Sequence, residues 1–255
     1  MKRALIHDIL KRYWGYDSFR PRQEEIIMSV LDGRDTLGLL PTGGGKSLTF
    51  QVPAMVFEGI TVVVTPLISL MKDQVDNLRA AGIRAVCLHS GLSRAEHRLA
   101  LDRCRLGKAK LMYVSPEKLQ SATFIDQLRS MDVSFLVVDE AHCISQWGYD
   151  FRPSYLKISL IRELFPDIPV LALTASATPV VVDDIMDKLG FKERNVYARS
   201  FSRDNLSYIV RNDFDKERRL ISVLTNTSGS AIVYVRSRRR TREIADMLVR
   251  NGISA

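Results

Sequence analysis

Eight consecutive residues, Leu40-Pro41-Thr42-Gly43-Gly44-Gly45-Lys46-Ser47, carry the clearest chemistry in this chain. Adjacent glycines let backbone N–H groups curl around one anion, and a helix starting just beyond adds its positive dipole end. Thr42, Gly43, Gly44 and Gly45 would cradle phosphates, and Lys46 would reach the β- and γ-oxygens of a nucleoside triphosphate. The Ser47 hydroxyl would hold Mg²⁺. The strict spacing of such loops puts glycine at position 40, where this chain has Leu40. The plain alternative is a glycine-rich turn before a helix-start lysine.

A second group lies about ninety residues on, where Phe135-Leu136-Val137-Val138 runs into Asp139-Glu140-Ala141-His142. Two adjacent carboxylates at the mouth of an apolar strand are costly unless something pairs with them, and a magnesium–phosphate complex would. Asp139 would hold the metal's water shell, and Glu140 would orient and deprotonate the attacking water. His142 stands where it could sense the γ-phosphate. Alone, an Asp-Glu pair is an ordinary surface feature; downstream of a phosphate loop it reads as chemistry.

The stretch Cys143 to Tyr155 packs Trp147, Tyr149, Phe151 and Tyr155 among Gly148 and Pro153, which suits neither a regular helix nor a strand. Aromatic faces and an arginine in one loop suit stacking on unpaired bases, with Gln146, Trp147, Phe151 and Arg152 as the candidate contacts. A hydrophobic mini-core under a loop is the alternative. Near the N-terminus, Tyr16 and Arg20 offer planar faces and Gln23 an amide that can both donate and accept, which suits an adenine ring. A packed turn between helices would use the same residues. Thr65-Pro66, Ser115-Pro116 and Thr178-Pro179 each put a hydroxyl before a proline suited to a first helical turn. They read as caps, and also as a row of anion sites in which Thr65, Ser69, Lys72 and Ser115 would touch a nucleic-acid backbone. Small hydroxyl residues in Thr174-Ala175-Ser176-Ala177-Thr178 could bond the carboxylates and relay nucleotide state, with Ser176 and Thr178 as the coupling pair; from residues alone this is a capped helix start.

Elements must hold these groups together. Apolar runs at 36–40, 60–64, 110–114, 133–138 and 170–173, with a fainter one at 85–88, read as buried parallel strands. Helical spacing over 4–14, 24–31, 67–81, 93–105, 117–130 and 154–164 separates them, with Ser18 able to cap the second helix. The alternation is that of a doubly wound α/β fold, whose ligands gather at the carboxyl ends of the strands. Beyond position 200 the pattern restarts, with strands at 207–210 and 231–235 and helices at 216–225 and 239–250. The arginines at 236 and 238–240 read as a solvated face, with phosphate contact as the alternative.

The 255 residues are 46% apolar and 26% charged, as in a soluble globular protein. No apolar run approaches the ~20 residues that span a bilayer, which argues against a membrane partner. Cys87, Cys104 and Cys143 are scattered, without a paired spacing, and fit a reducing cytoplasmic setting. A net charge of +8 favours a polyanionic partner.

Taken together, these motifs resemble superfamily 2 helicases, and specifically the RecQ family of DNA helicases. Phe19-Arg20-Pro21-x-Gln23 is similar to that family's adenine-reading motif, Thr42 to Ser47 to its motif I, Asp139-Glu140-Ala141-His142 to motif II and Thr174 to Thr178 to motif III. Ser145 to Tyr155 resembles the aromatic-rich loop that couples DNA binding to ATP hydrolysis, with Tyr149 standing where the family usually has histidine. The resemblance implies a RecA-like P-loop NTPase that uses ATP and Mg²⁺ to move 3′ to 5′ on one DNA strand and to open duplex, in DNA repair and recombination. It implies single-stranded DNA and single-strand/duplex junctions as partners, a monomer, and a cytoplasmic, nucleoid-associated setting. The expected organisation is a RecA-like ATP-binding domain over 1–197, an interlobe linker over 198–206, and the incomplete start of a second RecA-like lobe over 207–255. Family features expected further on, among them an arginine finger, do not occur in these residues, so the chain reads as the front piece of a helicase.

Overall fold

The structure, a computed structural model, describes residues 1–148, 150–200 and 206–255. Tyr149, and the part of the expected linker at 201–205, lie outside the described residues. The chain divides into two units, Met1–Ser202 and Arg203–Ala255.

In the first unit, helix α1 (Lys2–Trp14) ends at Gly15, whose φ of 71° takes the left-handed C-cap. Helix α2 (Gln23–Leu31) starts after Arg22, itself left-handed, with no side-chain cap, so Ser18 does not cap it. There follow β1 (Thr36–Leu39), α3 (Leu48–Val56), β2 (Ile60–Val64), α4 (Ile68–Ala80), β3 (Ala85–Leu88), α5 (Arg94–Arg105), β4 (Leu111–Val114), α6 (Ala122–Arg129), β5 (Val133–Val138), α7 (Ser159–Leu164), β6 (Val170–Thr174), α8 (Pro179–Lys188) and β7 (Val196–Ala198). The seven strands form one sheet in the order β3-β4-β2-β5-β6-β1-β7, and every pair is parallel.

The strands read as unbroken apolar runs because both faces are buried. Val62, Val64, Met112, Val114, Leu136 and Val138 pack on one face against Leu101 and Cys104 of α5, Phe124 and Leu128 of α6, and Val181 and Ile185 of α8. Their alternates Val63, Leu111, Tyr113, Phe135 and Val137 pack on the other against Ile26 of α2, Phe50 of α3 and Met71, Val75 and Leu78 of α4. Burying each such side chain is worth roughly 1.5–3 kcal/mol. The sheet is therefore sandwiched by α2–α4 and by α5–α8, a doubly wound fold. Its loops after β1, β2, β4, β5 and β6 emerge at one edge, the carboxyl ends of the strands.

Several expected elements differ. The helix expected over 117–130 is a 3-10 turn, Pro116–Gln120, followed by α6, because the Ser121 hydroxyl accepts from the Phe124 N–H at 3.4 Å and starts a new helix. The helix expected over 154–164 likewise begins as a 3-10 segment, Pro153–Ile158. Of the three expected hydroxyl caps only Thr178 caps, accepting from the Val181 N–H at 3.4 Å. The Ser115 hydroxyl caps nothing, and α4 starts at Ile68, past Thr65, whose hydroxyl is drawn to Asp139 instead. Val196–Ala198, whose last residue falls in the expected linker, pairs with β1 as the seventh strand.

In the second unit, α9 (Lys216–Thr225) is capped by Asp215 and α10 (Arg238–Arg250) by Ser237. The strands expected at 207–210 and 231–235 do not form among the described residues: neither segment pairs as a strand, and Tyr208, Ile209, Ile232 and Tyr234 are exposed. A strand exists through its ladder, and an apolar run alone does not supply one.

Candidate nucleotide and coupling site

The loop after β1 needs all three of its glycines. Gly43 and Gly45 sit at φ of 74° and 78°, the left-handed region that a side chain makes costly. A Cβ on Gly44 would stand 2.8 Å from the Pro41 carbonyl, and one on Gly45 would stand 2.4 Å from Gln23 Nε2. That second distance reports a close tie between two sequence-predicted groups. Gln23, 1% exposed, donates from Nε2 to the Gly45 carbonyl at 2.8 Å and accepts at Oε1 from the Arg20 N–H at 2.8 Å. Arg20 donates to the Gly43 carbonyl at 2.6 Å. Turn 20–23 thus holds the carbonyl side of the loop. Tyr16, Arg20, Gln23, Gly45 and Ser47 share one cleft of ≈ 360 Å³ with Leu48 and Gln74, large enough for a purine base.

Ser47 Oγ accepts from Gln74 Nε2 at 3.1 Å, and Gln51 Nε2 donates to Gln74 Oε1 at 2.8 Å. This amide relay was not anticipated. Its signal in the sequence is an amide within the buried stripe of α4, between Met71 and Val75. Thr42 and Gly43 are exposed, and Lys46 is partly so. Among the described residues Lys46 makes no ion pair.

Beyond β5, Asp139 and Glu140 form a constrained pair. Glu140 is in the left-handed region at φ 47°, ψ 46°, and its N–H donates to Asp139 Oδ1 at 3.0 Å. A non-glycine residue held there stores strain, of order 1–3 kcal/mol, which functional sites often do. Thr65 Oγ1 lies 3.5 Å from Asp139 Oδ2. Burial, then the neighbouring Glu140 charge, pushes the Asp139 carboxyl up to about 6, against the downward pull of the Glu140 N–H and the Lys46 charge. A buried carboxylate whose ionised form lacks a full counter-charge is one that a cation would suit.

Strand β6 lies between β5 and β1, so Thr174 at its carboxyl end stands between the two motifs. His142 Nδ1 is 2.9 Å from Thr174 Oγ1 and 3.4 Å from Glu140 Oε2. Thr174 Oγ1 also accepts from the Ser176 N–H at 3.2 Å. Ser176 and Thr178 are exposed, and among the described residues no bond joins either to the carboxylates; the connection runs from Thr174 through His142 to Glu140. Tyr155, fully buried, donates its hydroxyl to the Asp139 carbonyl at 3.0 Å, which ties the end of the aromatic stretch to β5. Sequence reasoning had given Tyr155 no separate role.

Within that stretch Trp147 is 74% exposed and Gln146 is exposed, while Phe151 and Arg152 are partly covered. Arg152 pairs with Asp150 at 2.9 Å, and the Gly148 backbone presses so close to the His142 carbonyl that a Cβ would stand 2.8 Å from it. An indole in solvent above a packed loop is free to stack. Thr65 and Ser115 are each 3% exposed, whereas Ser69 and Lys72 face solvent. The structure therefore brings the phosphate loop, turn 20–23, Asp139, Glu140 and His142 to one strand-end face, and leaves Thr65 and Ser115 buried beneath it. Among the described residues, no helix is long and apolar enough to cross a membrane.

The fold is shared with a solved helicase, MrfA, at a TM-score of 0.77 over 98% of this chain and 41% of that one, with 17% identity. Among curated proteins, the chain is 43% identical to the ATP-dependent DNA helicase RecQ of Pasteurella multocida (strain Pm70) over 97% of its own length and 39% of the relative's. It is 45% identical to the ATP-dependent DNA helicase RecQ of Bacillus subtilis (strain 168), over 97% of itself and 42% of that protein. The chain thus spans about two fifths of the length of these curated relatives, and it covers the N-terminal part of their helicase core. Residues 20–185 match the DEAD/DEAH box helicase family, and the chain belongs to that family.

Proposed function

We propose that this chain is the ATP-binding part of a RecQ-type DNA helicase, which couples ATP hydrolysis to 3′-to-5′ movement along single-stranded DNA and to duplex opening. The observation that carries this reading is the tie between the aromatic stretch and the carboxylate pair, through the Tyr155 hydroxyl on the Asp139 carbonyl. The identity to proteins named ATP-dependent DNA helicase RecQ supports the substrate, and the net charge of +8 suits a polyanion.

Under this reading each residue has a role. Gly43 and Gly45 turn backbone N–H groups toward the phosphates, Gly44 closes the turn by donating its N–H to the Pro41 carbonyl at 2.9 Å, and Lys46 neutralises the β/γ oxygens. Tyr16, Arg20 and Gln23 receive the adenine, and Arg20 and Gln23 also grip the loop carbonyls, so base recognition and loop shape are one event. Ser47, set by Gln74, and Asp139 hold Mg²⁺, which when bound offsets phosphate charge. Glu140 takes the proton of the attacking water. His142, fixed by Thr174, reads the γ-phosphate and passes its state to the 175–178 segment. Trp147 and Phe151 stack on unpaired bases, Arg152 and Gln146 contact the strand, and Ser69 and Lys72 touch its backbone. Residues 1–197 with Ala198 of β7 form the ATP-binding domain, the rest of 198–206 the linker and 207–255 the start of a second lobe. The whole protein would act as a monomer on single strands and junctions, in repair and recombination, in the cytoplasm near the nucleoid.

The test is magnesium-dependent ATP turnover with and without single-stranded DNA, in the wild type and in Glu140→Gln. The reading expects turnover that single-stranded DNA raises more than RNA does, and its loss in the variant. Equal stimulation by RNA, or turnover unchanged in Glu140→Gln, would overturn it.

A further inference from the structure

His142, Cys143 and Asp150 converge in a way that nucleotide chemistry does not require. Cys143 Sγ lies 3.8 Å from His142 Nε2 and 3.7 Å from Asp150 Oδ2. All three ligand-capable atoms fall within 4.8 Å of one another. Ligands held about 2.0–2.3 Å from a tetrahedral ion stand about 3.3–3.7 Å apart, so the two distances from Cys143 Sγ are close to that spacing already.

The histidine tautomer matches. Nδ1 faces the Glu140 carboxylate, which can only accept, and Thr174 Oγ1, which can. The proton therefore resides on Nδ1, and the Nε2 lone pair points toward the cysteine. A ligating histidine whose other nitrogen donates to an oxygen is the usual outer arrangement of a metal site. Arg152 donates to Asp150 Oδ2 at 2.9 and 3.2 Å, which keeps that carboxylate ionised.

We propose that His142 Nε2, Cys143 Sγ and an Asp150 carboxylate oxygen form a site for a thiophilic divalent ion of the zinc class, with water as the fourth ligand. Nitrogen, sulfur and carboxylate together select zinc or cobalt over magnesium, which takes oxygen ligands only. Binding forms three protein–metal bonds and breaks the Cys143 S–H bond, whose proton passes to solvent. Asp150 belongs to the aromatic stretch and His142 to the carboxylate motif, so the ion would pin one to the other. Resting on the function proposed above, occupancy would suppress DNA-stimulated turnover.

The test uses the full chain without nucleotide or DNA, so its failure is separate from failure of that functional reading. Cobalt(II) is titrated while absorbance is followed. The expected result is saturable binding of one ion with thiolate-to-cobalt charge-transfer and tetrahedral bands, release of a proton, and displacement by zinc. Cys143→Ser should abolish the charge-transfer band. Asp150→Asn, at an exposed position that leaves folding intact, should weaken binding by more than about tenfold, since loss of outer partners alone costs roughly 10–100-fold. Cys87→Ser, at a thiol elsewhere in the sheet, should keep the band. No charge-transfer band in the wild type, a band that survives Cys143→Ser, full-strength binding in Asp150→Asn, or a band lost in Cys87→Ser would each overturn the site.

Discussion

Replacing Asp139 with asparagine should stabilise the protein while disabling it. The carboxyl is pushed from 3.8 to about 6, chiefly by burial and then by Glu140. Between those values the folded state keeps a proton that the unfolded chain has released. Stability therefore falls as pH rises through that window, and the full cost stands above it. A shift of about two pH units corresponds to about 3 kcal/mol. Asparagine cannot ionise, so it removes this cost. Its amide then needs acceptors, which reduces the net gain to about 1–2 kcal/mol. The assay is urea unfolding with a chelator present, at about pH 7.5 and about pH 4. Asp139→Asn should be more stable than wild type at the higher pH, with the gain nearly gone at the lower. Magnesium with nucleotide should stabilise wild type and leave the variant unmoved. A variant no more stable than wild type near pH 7.5, or a gain of equal size at both values, would refute the reasoning.

Two further outcomes follow from geometry. Trp147→Ala removes an indole that is 74% exposed, so stability should change by less than about 0.5 kcal/mol. Single-stranded DNA affinity, read by fluorescence anisotropy, should fall by about 1–3 kcal/mol while nucleotide affinity holds. Asp35, buried, accepts from Arg162 at 2.7 Å and from the Val170 N–H at 3.0 Å, tying β1 to β6. Asp35→Ala leaves the largely covered Arg162 guanidinium without its counter-charge and should cost about 3 kcal/mol in denaturant unfolding, with no specific effect on nucleotide affinity in the protein that remains folded.

What could be read from the residues, and what could not, divides by physical cause. β2, β4, β5 and β6 were legible because both faces of each are buried, which makes the apolar run continuous. β7 was not: Val196, Tyr197 and Ala198 lie on an edge, remain half-covered or exposed, and make a run of three, too short to stand out as a strand. The phosphate loop and Asp139-Glu140 were legible as local motifs. The contacts that orient them were not, because Gln74 reaches Ser47 across 27 residues and Thr65 reaches Asp139 across 74. Spacing gave Thr65 as a cap, yet a nearby buried carboxylate is a stronger attraction for its hydroxyl. The segments 207–210 and 231–235 have strand composition, and composition specifies what a residue would bury, not whether a partner strand lies beside it.

The central claim is that the loop 41–47, turn 20–23 and Asp139 form one magnesium–nucleotide site. Calorimetric titration of ATP into wild type and Lys46→Ala, each with and without magnesium, tests it most directly. The account predicts binding of one ATP that needs magnesium and that weakens by at least about tenfold, ~1.4 kcal/mol, when Lys46 is removed. Binding of equal strength in all four titrations, or none in wild type with magnesium, would contradict it.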